Sequence, residues 1–451
     1  MKNLKLITLL SVFTLTFWAC DDNLKIEPEQ DLSPDVATST PSNVRNILNN
    51  IYAEARSSSS YGGGIALASE LVGNAGDVSW NGTYAGPAEY NEKAILSDNG
   101  FVEDVWMNAY EMINQANIVL ANLEVFEDEE ARNTTEGETK FLRGLAYFDL
   151  VRLFAKAYEP GGTNDQLGVP VVLNPVLAAT DVEEVSRNSV EEVYTQVIAD
   201  LTEAYNFLPE ENGVYATKFS ARALQARVFL QKGDYSNALE AANDVIMNSG
   251  ASLTATFEEA FNNTTNSSED LFAWQVSSQD ASINSFNEYW AGEEFGGRPG
   301  NPDVSINEEH FVIYDDSNDA RANFFYETDR LVATTKWQGQ YTNIPFIRLA
   351  EMYLIRAESN LRLETEVGAT PLEDINRLRA RAEATLLSAV TLEDVLEERM
   401  RELAFEGFAL FEAKRLKRDV GEISYDADRL ILPIPLRETD ANPNLIQNDG
   451  Y

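Results

Sequence analysis

Apolar residues in the stretch 138–158 fall at Phe141, Leu142, Leu145, Ala146, Phe148, Val151, Phe154 and Ala155, which is helical spacing. The stripe is wider than one core-facing seam needs, so this helix is expected to be sandwiched between neighbours. Gly144 and Ala146 would let another helix approach closely. Gly144 costs about 1 kcal/mol against Ala in a helix interior, a cost that packing has to offset. Taken alone, the stretch reads as an ordinary buried core helix. The same period recurs along the chain, and that recurrence carries the argument further.

Asn43–Arg56 and 104–123 have helical spacing, and Ser189 with Glu192 forms a capping box that starts a helix ending near Leu208. Phe219–Gln231 follows, then a turn at Gly233, Asp234 and Tyr235 into Ser236–Met247. Pro345–Leu363 predicts another amphipathic helix. Thr370, Pro371 and Glu373 supply an N-cap, a first-position proline and an acid for a short helix, and Leu392–Leu416 closes the series. Between them, Ser57–Gly64 reads as flexible loop and Ala66–Gly100 as a long aromatic-rich loop. Gly161–Ser186 is a turn-rich crossover with an extended Gly168–Val172.

Helical hairpins repeating at roughly 34 residues mark a tetratricopeptide solenoid. The pairs are 104–124 with 138–157, 188–208 with 217–232, 235–248 with 345–363, and 371–383 with 391–417. The third pair is interrupted by residues 249–344, rich in Asn, Ser, Gly and aromatics. The expected fold is mainly α: a tetratricopeptide-like α-solenoid of about four helix pairs, with long loop-rich insertions and a few short strands. Such a frame presents a site built from loops.

Composition narrows the function. Lys+Arg 34 against Asp+Glu 74 gives a formal net charge of −40, which argues against nucleic acid as a partner. Lys2 and Lys5 precede the apolar run Leu6–Trp18, which is too short to span a bilayer comfortably and ends at Ala19 and the single cysteine, Cys20. Residues 1–19 therefore read as a signal peptide, 20–41 as a tether, and 42–451 as one domain. A lone cysteine excludes an intrachain disulfide. With His310 the only histidine, His-rich metal sites and a zincin site are excluded as intrachain constructions. No nucleophile elbow, P-loop or dinucleotide fingerprint follows a credible strand. The reading is a chain that is not an enzyme and calls for no cofactor and no metal. Paired carboxylates for glycoside hydrolysis remain the catalytic alternative, because sequence does not give their separation.

The segments 141–154 (FLRGLAYFDLVRLF), 187–201, 344–359, 398–416 and 431–451 resemble, in order, the SusD/RagB family. Cys20 after Ala19 resembles a bacterial lipobox, with Phe17 where Leu is usual. The resemblance implies a surface-exposed lipoprotein held in the outer membrane by lipid on Cys20. It also implies a SusC-like TonB-dependent barrel as partner and an oligosaccharide or peptide as ligand. A surface scaffold for a protein partner is the alternative. Arg348, Glu351, Arg356 and Glu358, with Glu398, Arg399, Arg401, Glu402 and Glu406, read as solvated faces and structural pairs, interhelical ion pairs being the alternative. Pro433, Pro435 and Pro443 predict a closing strap on the surface.

A sugar stacks its C–H face on an aromatic ring while Asn, Asp and Arg hydrogen-bond its hydroxyls, and peptides also exploit aromatic pockets. Two aromatic, polar loop segments meet that need. The first contributes Asp77, Trp80, Asn81 and Tyr84, and the second Asn287, Tyr289, Trp290 and Arg298. Loop packing explains any one of these rings equally well; their convergence in space is what would make a site. Trp106 and Trp274 are better explained as core.

Overall fold

In the computed structural model, residues 34–279 and 284–451 are described. Cys20 and the signal-peptide reading lie outside them. After one turn at Pro34–Ala37, α1 (Pro41–Ala55) starts at Thr40, whose hydroxyl accepts from Asn43 N–H. Then come α2 (Gly64–Gly73), β1 (Val78–Trp80), α3 (Ala85–Glu92), α4 (Gly100–Leu120) and α5 (Glu129–Phe154). They are followed by α6 (Val190–Phe207), α7 (Lys218–Lys232) and α8 (Tyr235–Asn248). The segment after α8 holds β2 (Asp270–Trp274), α9 (Ser285–Trp290), β3 (Val304–Ile306), α10 (Glu308–Phe311), β4 (Phe325–Glu327), β5 (Val332–Thr334) and β6 (Ile344–Arg348). The chain closes with α11 (Leu349–Leu363), α12 (Pro371–Arg381), α13 (Leu392–Leu403), α14 (Ala409–Leu416) and α15 (Leu436–Ala441).

Successive helices stack: α1 on α4, α4 on α5, and so on through α6, α7, α8, α11 and α12. The stretch that the sequence placed between neighbours, α5, lies between α4 and α6, and its last fourteen residues are all buried. At Gly144 a Cβ would stand 3.2 Å from Leu201 Cγ of α6, so a larger residue would push the helices apart.

Several expectations are corrected. Gly64–Gly73 is a helix buried along nearly its whole length, and the apolar GIALASELV run shows no amphipathic period because it has no solvent face. Ser60–Gly63 is buried turn rather than flexible loop, with Tyr61 stacked on Trp274 at 5.1 Å. Ile344–Arg348 is strand, because Ile344, Pro345 and Ile347 pair antiparallel with β2, and the helix begins only at Leu349. The closing helix is broken at 404–408, where Phe405 (φ 63°) and Gly407 (φ 88°) adopt left-handed backbone. A Cβ on Gly407 would lie 2.9 Å from Ala66 Cβ of α2. In the fourth expected pair, α12 and α13 each pack on α11. The closing strap carries one short helix, and its Leu430–Ile434 stretch is buried, with Leu432 N–H donating to Leu153 O.

The charged rows of α11 and α13 are not solvated faces. Arg348 is buried and faces Glu269, Glu402 and Glu406, while Arg381 bonds Glu269 and Glu402. Arg321 bonds Asp319 and Glu398. These pairs fasten the segment between α8 and α11 to the helical stack.

Candidate functional site

β1 pairs antiparallel with β3, with Val78 opposite Ile306, Ser79 opposite Ser305 and Trp80 opposite Val304. This ladder brings residues 74–90 and 287–303 together. The turn after β1 is tied down by Asn81 N–H donating to Asp303 O (2.6 Å) and by Asn81 Nδ2 donating to Ser305 Oγ (2.9 Å). Trp80 Nε1–H reaches forward to Tyr84 O (3.2 Å), which fixes the indole over the turn. Gly82 is needed there, because a Cβ would meet Trp80 Cζ2 at 2.4 Å and Asp303 Cγ at 2.7 Å.

The rings converge. Trp80 meets Tyr289 edge-on at 5.7 Å between centroids, and Tyr84 meets Tyr289 at 6.4 Å and Phe101 at 5.7 Å. The Arg298 guanidinium sits 4.2 Å from the Tyr84 ring centroid and donates to Asp303 Oδ2 (2.8 Å) and to Thr83 Oγ1 (3.2 Å). Trp80 is half-buried and Tyr84 is 42 % exposed, so both present ring surface to solvent. Tyr289, 7 % exposed, backs them from below rather than offering a face of its own. Asn81 is exposed at the edge of this platform.

Three of the expected residues do not join it. Trp290 is 1 % exposed and packs on Phe405 at 5.4 Å, so it is core. Asn287 is buried and spends its amide N–H groups on Phe295 O and Trp337 O, fixing loop backbone. The short helix α9 is buried on nearly every side, Tyr289 included, and Asn287 and Trp290 face loop backbone and Phe405 rather than the platform rings. Asp77 lines a separate cleft bounded by α13 and α14. Trp106 and Trp274 are buried, as their spacing indicated, and so is Trp337, whose Nε1–H donates to Phe405 O.

Burial raises the Asp303 carboxyl and the Arg298 charge opposes that rise. Burial also raises Glu288, and it raises the Tyr289 phenol, which stays neutral. Asp303 and Thr83, which orient Arg298, were not picked out from sequence; the available signal was the Pro302–Asp303 turn leading into an apolar Val304–Ile306 strand. Among the described residues no group of three or more His, Cys, Asp or Glu is arranged to hold a metal ion, and no helix is long and apolar enough to cross a membrane. A half-buried indole and an exposed phenol, one guanidinium and one amide beside the β1 turn suit a neutral polyhydroxylated ligand with apolar faces.

A stack of helices thus carries a loop-built aromatic platform. A family model described as "Starch-binding associating with outer membrane" matches residues 29–230, and one described as "SusD family" matches 230–429. The chain belongs to the SusD/RagB family. It is similar to SusD-like protein P2 of Formosa agariphila, 28 % identical with 98 % of each chain covered. A crystal structure of a SusD superfamily protein from Bacteroides thetaiotaomicron superposes with a TM-score of 0.82 at 27 % identity, covering 91 % of this chain and 99 % of that one. A laminarin-binding SusD-like protein shares the fold with a TM-score of 0.77 at 21 % identity, covering 92 % of this chain and 100 % of that one.

Proposed function

We propose that this chain captures an oligosaccharide at the cell surface and hands it to a SusC-like TonB-dependent outer-membrane transporter. Lipid on Cys20 anchors it to the outer membrane, facing outward, and it performs no catalysis. The ligand lies on Trp80 and Tyr84, backed by Tyr289, with Arg298 and Asn81 bonding its hydroxyls. One observation carries this reading. Thr83 and Arg298 are 215 positions apart, yet they bond beside the Tyr84 ring, which stays exposed next to half-buried Trp80. The family's starch-binding description and its outer-membrane association support it. A peptide ligand fits the rings equally but leaves Arg298, already neutralised by Asp303, without a distinct role.

Isothermal titration of the purified protein with starch, laminarin, other glycans and peptides tests the reading. Binding of one glycan, lost in Tyr84→Ala, is the expected result; binding of peptides alone would overturn it. Cys20→Ala is expected to release the protein from membranes, and retention without a transporter would argue against the lipid anchor.

A further inference from the structure

The two segments that build the platform, 74–90 and 287–303, have a lopsided charge. They hold six acids, Asp77, Glu89, Glu288, Glu293, Glu294 and Asp303, against one base, Arg298. A uronic acid would take a guanidinium as its natural partner, because the planar fork matches both carboxylate oxygens. Here the fork is already engaged.

Arg298 Nη1 donates to Asp303 Oδ2 at 2.8 Å, and Nη2 donates to Thr83 Oγ1 at 3.2 Å. The Glu288 carboxyl is near enough to feel the charges of both Arg298 and Asp303, so one cation stands among two anions. Arg298 is nonetheless within a ligand's reach, with its side chain 25 % exposed against 11 % for Asp303. The fork carries more N–H groups than these two bonds use, so it still donates to hydroxyls. What it lacks is surplus positive charge. A neutral hydroxyl loses little by that, whereas a carboxylate arriving at Arg298 meets the like charge of Asp303 beside it.

Asp303 also has a structural duty. It helps to hold the guanidinium 4.2 Å from the Tyr84 ring centroid, and its backbone oxygen accepts from Asn81 N–H at 2.6 Å. Charge and position are separable, because an asparagine keeps the shape and an oxygen acceptor while removing the charge. We propose that Asp303 is the specificity residue of the platform: its carboxylate cancels Arg298 and so restricts the site to uncharged glycans, refusing those built of uronic acids. This selectivity rests on the glycan reading of the platform and adds to it the class of glycan refused and the residue responsible.

Maltohexaose and laminarihexaose are the probes, each beside its C6-oxidised form, which keeps rings and linkages but carries carboxylates in place of hydroxymethyl groups. Isothermal titration of the purified protein is expected to show at least one neutral hexasaccharide bound at least tenfold more tightly than its oxidised form. Asp303→Asn is expected to narrow that gap at least fivefold by tightening the oxidised form, and to do so more at low than at high salt. Glu240→Gln, which takes a paired carboxylate from Arg222 on α8, is expected to leave the gap as it is. Asp303→Ser takes the place of Asp303→Asn should the latter fail to fold. A hexasaccharide bound as well by Tyr84→Ala as by wild type would overturn the platform reading, and the selectivity with it. Binding lost in Tyr84→Ala but equal for the two forms, an Asp303→Asn gap as wide as wild type, or a gap narrowed as far by Glu240→Gln would overturn the selectivity and leave the platform standing. No binding of either hexasaccharide in either form would overturn both.

Discussion

Arg348 Nη1 lies 2.9 Å from Glu402 Oε1, and neither side chain reaches solvent. Arg381 bonds the same carboxylate, and Arg321 approaches its other oxygen at 3.3 Å. Burial alone would push Glu402 up, but Arg381, Arg348 and Arg321 outweigh it and hold the carboxyl well below the usual range. Glu402 is therefore an anion shared by three cations, Arg381 from the helical stack and Arg348 and Arg321 from the segment between α8 and α11.

Removing that anion leaves buried guanidinium charge uncompensated, which costs about 3–5 kcal/mol. Glu402→Gln is expected to lower the unfolding free energy by that amount, read as a lower urea midpoint at unchanged slope, and limited proteolysis is expected to cut first within 249–344. Exposed Arg437, paired with Glu103, serves as the control. Arg437→Ala should leave the midpoint where it was. A Glu402→Gln midpoint equal to wild type would show that the network is not under load.

Two tryptophans of the candidate segments should respond in opposite ways. Trp80→Ala removes a half-buried ring from the platform and is expected to abolish measurable glycan binding while the melting temperature moves little. Trp290→Ala empties a fully buried site beside Phe405, and large-to-small changes of this kind cost about 3–5 kcal/mol. Calorimetry on both variants, with glycan titration, separates the roles. A Trp290→Ala protein as stable as wild type would sink the core assignment.

This contrast marks what the sequence disclosed. Helical period located α5 and α7, and start signals helped to place α6, α8 and α12, as Ser189 with Glu192 does for α6. Gly64–Gly73 escaped notice because a helix buried along its length has no period to detect. Ile344–Arg348 escaped because its strand partner, β2, lies seventy residues upstream. At the site, Trp80 and Tyr84 were legible as aromatics in a polar loop. Asn287 and Trp290 looked the same in composition; all three are buried on α9, and only the partners each meets in the fold separate them from Tyr289. The ion network was ambiguous for a related reason: charge on a helix does not announce whether its partner is water or another helix.

Gly82 offers a test of platform geometry without deleting any group. An added methyl meets the indole and Asp303 at less than 3 Å, so Trp80, Asp303 or the turn has to move. Gly82→Ala is expected to weaken glycan binding at least tenfold while far-UV circular dichroism stays unchanged. Unaltered affinity would mean that the Trp80 position does not matter to the ligand.

Acid should loosen the β4–α10 region through His310. Burial, with Lys336 adding to it, lowers this imidazole from its usual 6.5 to about 3, and its ring packs on Phe405 at 4.6 Å. The folded protein holds the ring neutral, whereas the unfolded chain protonates it below pH 6.5. Its contribution to stability is therefore complete above pH 6.5 and is lost progressively as pH falls towards 3. Glu412 acts in the same direction lower down. Burial raises it, but Arg399 and Arg415 bring it to about 2, so its contribution is lost as pH falls from 4.5 towards 2. Urea midpoints at pH 7, 5.5 and 4 should fall in wild type, and the fall should be smaller in His310→Phe, which has nothing to protonate at that position. Parallel pH profiles for the two proteins would show that His310 titrates alike in the folded and unfolded chain.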